Sequence, residues 1–400
     1  MPAAVHPNSF IMTPDLSRDA RTWRTRALGV GVGALVLCLI GGFFNWDQFF
    51  RSYVWCYMFY IGVALGSTAM LMLQYLTGGA WGIMIRRPCE AASRTLPLLL
   101  ILFVPIAIGI PHLYPWSHAD IMAHDAVMQH KQVYLNVPFF LIRTVVYFAG
   151  WIVFAQLLNK WSADEERGDL RAAGRMAWIS GPGLVFYAFS VTFAAIDWIL
   201  SINPHWFSTM FGLLFVAGEG LCAIAFLICL LVILGSRPPL EGALNRRHIH
   251  DIGKLMLTFV MVWAYFSFSQ LLVIWSGNLP DEITWYVNRF NGGWQFIGLL
   301  LVLLHFALPF ALLLSREIKR DFKLLSSIAV LVLVMRFVDL YWMVAPDFHP
   351  KQFSVSWMDF LAPIGLGGIW LAAFLWQLEK RPLLPVGDPH LEEALEFGRE

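Results

Sequence analysis

Ten long apolar runs dominate the sequence. They lie near residues 27–46, 50–77, 94–114, 136–159, 174–201, 209–235, 252–276, 293–315, 323–344 and 357–378. Each is close to the roughly 20 residues that an α-helix needs to cross the hydrocarbon core of a bilayer. The runs predict an all-α polytopic membrane protein with ten transmembrane helices.

The composition agrees with this class. Hydrophobic residues make up 58% of the 400 residues and charged residues 14%, against about 25% charged residues in soluble domains. A net charge of +1 gives no sign of a nucleic-acid partner. The five cysteines form no CxxC motif, so we interpret them as small apolar residues, not as disulfide or cluster ligands. The polar, basic first 25 residues do not resemble a cleavable signal peptide.

Basic residues predict the orientation. All but six of the 28 Lys and Arg residues lie in the N-terminal segment, the even-numbered connections and the C-terminal tail. Because cytoplasmic loops are enriched in Lys and Arg, both termini are predicted to be cytoplasmic. We therefore divide the chain into a cytoplasmic segment 1–25, a ten-helix membrane domain 26–379 and a cytoplasmic tail 380–400.

A repeated motif relates the two halves of the membrane domain. Asp197 stands seven residues before Pro204, and Asp339 seven residues before Pro346, each followed by aromatic residues and a histidine. The third and seventh spans also both end at a proline-containing aromatic loop. We predict two four-helix bundles, spans 2–5 and 6–9, arranged as a parallel repeat with spans 1 and 10 flanking them.

Few ionisable residues lie at membrane depth, where an Asp, Lys or Arg at a helix centre costs roughly 2.5–3.5 kcal/mol on insertion scales. They are Arg143, Asp197, Glu219, His305, Arg336 and Asp339. Arg336 and Asp339 are three residues apart and can pair on one helix face, and Arg143 can pair with Asp197 or Glu219. One interpretation is that such pairs fix helix register.

The other interpretation is a proton path that also includes Tyr187 and Tyr265 near mid-depth. Glu219 is its strongest candidate because it is deep, has no charged neighbour one helical turn away, and is flanked by Gly218 and Gly220, which would leave room for water. His305 is the one histidine deep in a span, and a transmembrane b-type haem needs two axial ligands. We therefore expect no haem, metal or other redox cofactor in this chain, and no Walker or GxGxxG loop is present.

Several motifs, in this order, resemble one family. They are QYLTGGAWGIMIRRPCEAA, HLYPWSH, YLNVPFFLIRTVVYFAGW, IDWILSINPHWFSTMFG, and SGNLPDEITWYVNR followed by GGWQ. Together they resemble NrfD/polysulfide-reductase-like integral membrane subunits, and are most similar to the ActF-type subunit of alternative complex III. The resemblance runs from about residue 26 into the tail.

The resemblance implies a subunit of a respiratory quinol:cytochrome c (or other acceptor) oxidoreductase in the bacterial inner membrane. Its expected partners are an ActC-like membrane subunit, multihaem and monohaem cytochrome c subunits, an iron–sulfur subunit, small membrane-anchored subunits, lipid and a terminal oxidase. The c-type haems and iron–sulfur clusters belong to those partners, and menaquinol or ubiquinol is the substrate of the complex. For this chain it implies no catalytic residue and a proton route through Glu219, Asp197, His305, Asp339, Arg336, Arg143, Tyr187 and Tyr265.

Two alternatives stay open. The chain itself could bind a quinol headgroup at the outer face through His112, Tyr114, Asp197 and His205. It could also be an independent secondary transporter, although no broken mid-membrane helix of the kind transporters use is evident.

Overall fold

The computed structural model describes residues 10–397 and confirms the all-helical prediction. In these residues ten helices are long and apolar enough to cross a membrane, and none of the residues forms a strand. The helices are α1 Pro14–Gly42, α2 Trp46–Thr77, α3 Ala80–Ile108, α4 Val137–Glu166, α5 Ala172–Ile202, α6 Phe211–Gly235, α7 Arg246–Gly277, α8 Trp294–Leu314, α9 Phe322–Phe348 and α10 Met358–Leu378. The chain therefore has the architecture of a multi-pass membrane protein.

The third helix differs most from its predicted bounds. It begins at Ala80, not near residue 94, because Ala80–Ser93 forms a buried helical segment ahead of the apolar run. Helix α3 then continues as Leu96–Leu102 and Val104–Ile108. Pro97 and Pro105 lie in the first turn of these two segments, where a residue without a backbone N–H is tolerated.

Helices α2 and α6 form the centre of the molecule. In their most apolar stretches, 89% of α2 and 72% of α6 is buried, compared with 28% of α1 and 22% each of α7 and α8. Helix α2 contacts α3, α5, α6, α9 and α10, whereas α1 packs mainly on α10. The weakly buried helices carry apolar side chains on their outer surfaces, as lipid-facing helices do.

The same order of contacts occurs in both halves of the chain. In the first half, α2 contacts α3, α3 contacts α4, α4 contacts α5, and α5 returns to α2. In the second half, α6, α7, α8 and α9 contact one another in the same order, and α9 returns to α6. The halves meet through α2–α6, α5–α6 and α2–α9 contacts.

A pair of glycines allows α2 and α6 to approach closely. Gly62 and Gly66 face Glu219, and a side chain at Gly66 would collide with the Glu219 backbone carbonyl. Small residues four apart are a common way for membrane helices to pack at short distance. This contact fixes where the Glu219 side chain lies.

The C-terminal tail folds back over one end of the bundle. The Leu383 N–H donates to the Phe10 carbonyl over 2.8 Å, and His248 contacts the Ala394 carbonyl through Nε2 over 2.9 Å. We call this end the terminal face and the opposite end the far face. The short helix Pro280–Arg289, between α7 and α8, lies at the far face.

Candidate functional site

Arg143 and Asp197 form a buried pair between α4 and α5. The guanidinium donates from Nε to Oδ2 over 2.8 Å and from Nη2 to Oδ1 over 2.9 Å. The Tyr147 hydroxyl donates to Oδ2 over 2.8 Å, and Arg143 lies on the ring of Tyr134. Of the two partners considered for Arg143, the structure thus selects Asp197. A carboxylate so fully occupied is typical of a pair that holds helix register.

Arg336 and Asp339 form a second buried pair, within α9. They are joined by a hydrogen bond between the guanidinium and Oδ2, and Trp263 Nε1 of α7 donates to the same oxygen over 3.1 Å. The guanidinium fills the space beside Gly218, so this residue connects Asp339 with the segment of α6 that carries Glu219.

Glu219 lies between three helices. It comes from α6, accepts a 2.8 Å hydrogen bond from the Tyr187 hydroxyl of α5, and packs against Gly62 of α2. The space that we expected for water beside its neighbouring glycines is occupied by protein. The Arg336 guanidinium lies against Gly218 and the Phe259 ring against Gly220, because a missing side chain allows a neighbouring helix to move closer.

His305 lies in an unusual part of α8. Residues Leu301–Ala307 form a π-helical turn, a rare geometry that occurs frequently at functional sites. The imidazole is fully buried, and neither ring nitrogen has a hydrogen-bond partner among the described residues. Its ring meets the Trp263 indole edge to face at 4.4 Å. Since buried polar groups are normally hydrogen-bonded, protein contacts alone do not explain this histidine.

A cavity of about 570 Å³ lies beside Trp263 and Asp339. It lies between α7, α8, α9 and the helix Pro280–Arg289, and its walls are mainly aromatic and aliphatic. Its polar lining includes Gln270, Gln295, Tyr286 and Asp339, with the hydroxyl groups of Tyr265 and Ser267. Burial raises the pKa of Tyr286 to about 12, so its hydroxyl stays protonated at neutral pH.

Tyr187, Glu219, Arg336, Asp339, Trp263 and His305 therefore form one connected set, which we call the central polar group. Five of the eight predicted proton-path residues belong to it. Arg143 and Asp197 form their separate pair. Tyr265 of α7 is 64% exposed and forms no side-chain hydrogen bond with this group, but it lines the cavity that Asp339 also lines.

The four residues considered for a quinol headgroup do not form one hydrogen-bonded group. His112 contacts Asp47 over 2.7 Å and His205 contacts Asp125 over 2.8 Å, both on exposed parts of the far face. The buried Tyr114 hydroxyl donates to the Trp198 carbonyl over 2.9 Å, and Asp197 is already occupied by Arg143. Each residue therefore has its own local partner.

The neighbours of Asp125 lower the pKa of its carboxyl group. The backbone N–H of Met128 and the imidazole of His205 hold the pKa of the Asp125 carboxyl below its usual value. The carboxylate caps the short helix Ala126–His130. We therefore interpret Asp125 and His205 as organising this far-face loop.

A second ionic network, at the terminal face, was missing from our sequence-based predictions. Arg86 and Arg87 are among the basic residues of the second connection that predict the orientation, yet both are almost fully buried. Arg86 donates to Glu90 over 3.2 Å and to Asp388 of the tail over 2.7 Å. Glu90 also accepts from Ser162 over 2.6 Å, and Glu165 and Glu166 of α4 complete the network. The Glu90 spacing from the two arginines was the local signal that could have revealed part of it.

Within residues 10–397, no group of three or more His, Cys, Asp or Glu side chains is placed to hold a metal ion. No protein-family model matches the chain, and no curated protein is significantly similar to it. Fold and site together define a multi-pass helical membrane protein with buried ionisable groups at the contact between its two halves.

Proposed function

We propose that this chain is an ActF-type membrane subunit of a respiratory quinol oxidoreductase related to alternative complex III, and that it provides a proton route. The observation that carries the proposal is the central polar group, in which Arg336 is hydrogen-bonded to Asp339 and packs beside Gly218, the residue next to Glu219. The ordered motifs of the sequence support the assignment to the complex. The chain then lies in the bacterial cytoplasmic membrane with both termini in the cytoplasm.

We further propose that α2–α5 and α6–α9 are two four-helix bundles related as a parallel repeat. The matching order of helix contacts in the two halves supports this arrangement. Each bundle then has one buried Arg–Asp pair near its far-face end, Arg143–Asp197 in the first and Arg336–Asp339 in the second. The pairs are not equivalent in their surroundings, because Asp339 lines a cavity, whereas the Asp197 carboxylate is bound by Arg143 and Tyr147.

The proposed proton route passes through the Arg336–Asp339 pair, because Asp339 lines the cavity. Asp339 exchanges protons with the cavity, whose wall includes the far-face helix Pro280–Arg289. When Asp339 is ionised it holds the Arg336 guanidinium, and when it is protonated the positive charge favours ionised Glu219 instead. The Tyr187 hydroxyl donates to Glu219 and is placed to relay a proton, whereas His305, which contacts the Trp263 ring, would take part only through an intervening water. Quinol oxidation and the c-type haems and iron–sulfur clusters belong to partner subunits.

Glu219→Gln tests this route directly, because it keeps the size of the side chain and removes its titration. In vesicles containing the whole complex, we expect electron transfer from quinol to continue and proton release per electron to fall. Glu317→Gln, a change at an exposed carboxylate in the connection between α8 and α9, is the matched control. Unchanged proton release in Glu219→Gln would exclude Glu219 from the route.

The cavity beside Asp339 favours a second candidate function, in which this chain itself binds a quinol. Its aromatic walls, neutral amides and one carboxylate suit a planar headgroup with two oxygens. This location differs from the one considered from sequence. Titration of the purified complex with a quinone analogue tests it: Gln270→Leu and Gln295→Leu should weaken binding if the cavity is the site, and leave it unchanged if quinol binds only to a partner.

A further inference from the structure

A second, smaller cavity lies at the terminal face where α3, α4 and α10 meet. Its volume is about 250 Å³. The polar part of its lining includes Arg94, Lys160, Arg381, Gln156, Asn159 and Gln377. It is separate from the central polar group, and nothing in the proposed proton route uses it.

The cavity is positively charged. Three of its lining side chains are cationic and none of the described ones is acidic. Arg381 is partly neutralised, because it donates to Glu90 over 3.1 Å and to the Asn159 carbonyl over 2.8 Å. Arg94 donates only to the uncharged Gln377 carbonyl, over 3.0 Å, and Lys160 forms no ion pair within residues 10–397. Neither Arg94 nor Lys160 is therefore held in an ion pair within residues 10–397.

Two buried polar atoms in the cavity lining have no partner among the described residues. They are the Arg94 Nε–H, a donor, and the Asn159 Oδ1, an acceptor. The Asn159 amide nitrogen is already occupied, since it donates to Ser93 Oγ over 2.9 Å, and the residue is only 5% exposed. A ligand that satisfied both atoms would supply an acceptor to the arginine and a donor to the asparagine.

The remaining lining is apolar and leads toward the membrane. Pro97 of α3 and Ile152 and Ala155 of α4 continue the cavity away from its charged end. A ligand with a phosphate, a hydroxyl and an aliphatic chain would match the cations, the Asn159 oxygen and these side chains in turn. A zwitterionic lipid would bring an ammonium group of its own to this cationic site, whereas an anionic lipid brings only the negative charge of its phosphate.

We propose that this cavity binds the headgroup of an anionic glycerophospholipid, of which phosphatidylglycerol is the simplest example. The lipid phosphate contacts Arg94 and Lys160, a headgroup hydroxyl donates to Asn159, and an acyl chain follows Pro97 and Ile152. The bound lipid bridges α3, α4 and α10 at the terminal face.

Native mass spectrometry of the full-length chain in mild detergent tests the proposal. Delipidated protein is titrated with phosphatidylglycerol, with phosphatidylcholine of the same acyl chains, and with inorganic phosphate. We expect one tightly bound phosphatidylglycerol per chain. The double variant Arg94→Gln/Lys160→Gln removes two cations that each contribute to the binding of an anionic lipid. It should weaken the affinity for phosphatidylglycerol about thirtyfold.

The matched control is Arg171→Gln/Lys323→Gln, which removes two exposed cations that line no described cavity. It should leave the affinity unchanged. Lys160→Gln alone, at an exposed position, should show a partial loss even if the Arg94 variant does not fold. Equal affinity for phosphatidylglycerol and phosphatidylcholine would overturn the proposal. Displacement of the lipid by millimolar inorganic phosphate would assign the cavity to a free anion instead.

Discussion

Individual buried charges have large effects on the stability of this protein. Arg143 and Asp197 are joined by two hydrogen bonds inside the helix bundle. Asp197→Asn should lower the free energy of unfolding by about 3–5 kcal/mol, because it leaves the guanidinium buried without a counter-charge. Reversible unfolding in detergent measures this loss. The double variant Arg143→Met/Asp197→Leu should lose less than Asp197→Asn alone, and an equal or greater loss would show that the ion pair itself is strongly stabilising.

Substitution of His305 should not destabilise the protein, in contrast to substitution of Asp197. Its ring nitrogens have no partner within the described residues, so His305→Leu should keep or raise the free energy of unfolding, since a buried polar group without a hydrogen bond costs stability. If His305 relays protons, the same variant should lower proton release per electron in the intact complex. Loss of stability together with unchanged proton release would show that the histidine is structural.

Spacing along the chain predicted some of these contacts and not others. Arg336 and Asp339 could be paired from sequence because residues three apart share a helix face. For Arg143, hydropathy gave the depth but not the direction of the side chain, so two partners stayed open until the packing of α4 on α5 was known. The space beside Gly218 and Gly220 could not be assigned, because its occupants, Arg336 and Phe259, come from other helices.

The central contact between elements is the close approach of α2 and α6. Gly66→Ala places a methyl group against the Glu219 backbone and should destabilise the protein by about 1–3 kcal/mol, the usual cost of overpacking. Gly33→Ala in α1 is the matched control, since nothing lies within 4 Å of that position. Thermal unfolding of the two variants compares them. Equal stability would show that the α2–α6 contact adjusts to a larger residue.

The sequence did not predict the helical segment in which charged residues are buried. The ten apolar runs gave the number and order of the long helices because hydropathy alone determines which segments can enter a membrane. The segment Ala80–Ser93 was missed because Arg86, Arg87 and Glu90 interrupt its apolar residues. Those charges are buried only because Glu165, Glu166 and Asp388, distant in sequence, neutralise them. The Gly62-x-x-x-Gly66 spacing is a local sequence signal for the close packing of α2 on α6.

At the scale of the whole molecule, the polar features are arranged in layers. The Arg86–Glu90 network and the cationic cavity lie at the terminal face, the central polar group lies between the two halves, and the aromatic cavity extends toward the far face. The positive-inside rule uses the basic residues to predict which face is cytoplasmic. It could not predict that the tail is bound at the terminal face through Asp388. Tail docking depends on three-dimensional neighbours that hydropathy does not describe.

The central claim is that this chain works as one subunit of a quinol-oxidising complex. The most direct test is to purify the C-terminally tagged chain from its native membrane in mild detergent, and to identify the co-purifying proteins by mass spectrometry with a haem stain and visible spectra. We expect c-type cytochromes, an iron–sulfur protein and a second multi-pass subunit in fixed ratio, with quinol-dependent haem reduction. A stable, colourless chain that purifies alone would contradict the claim and would favour an independent transporter.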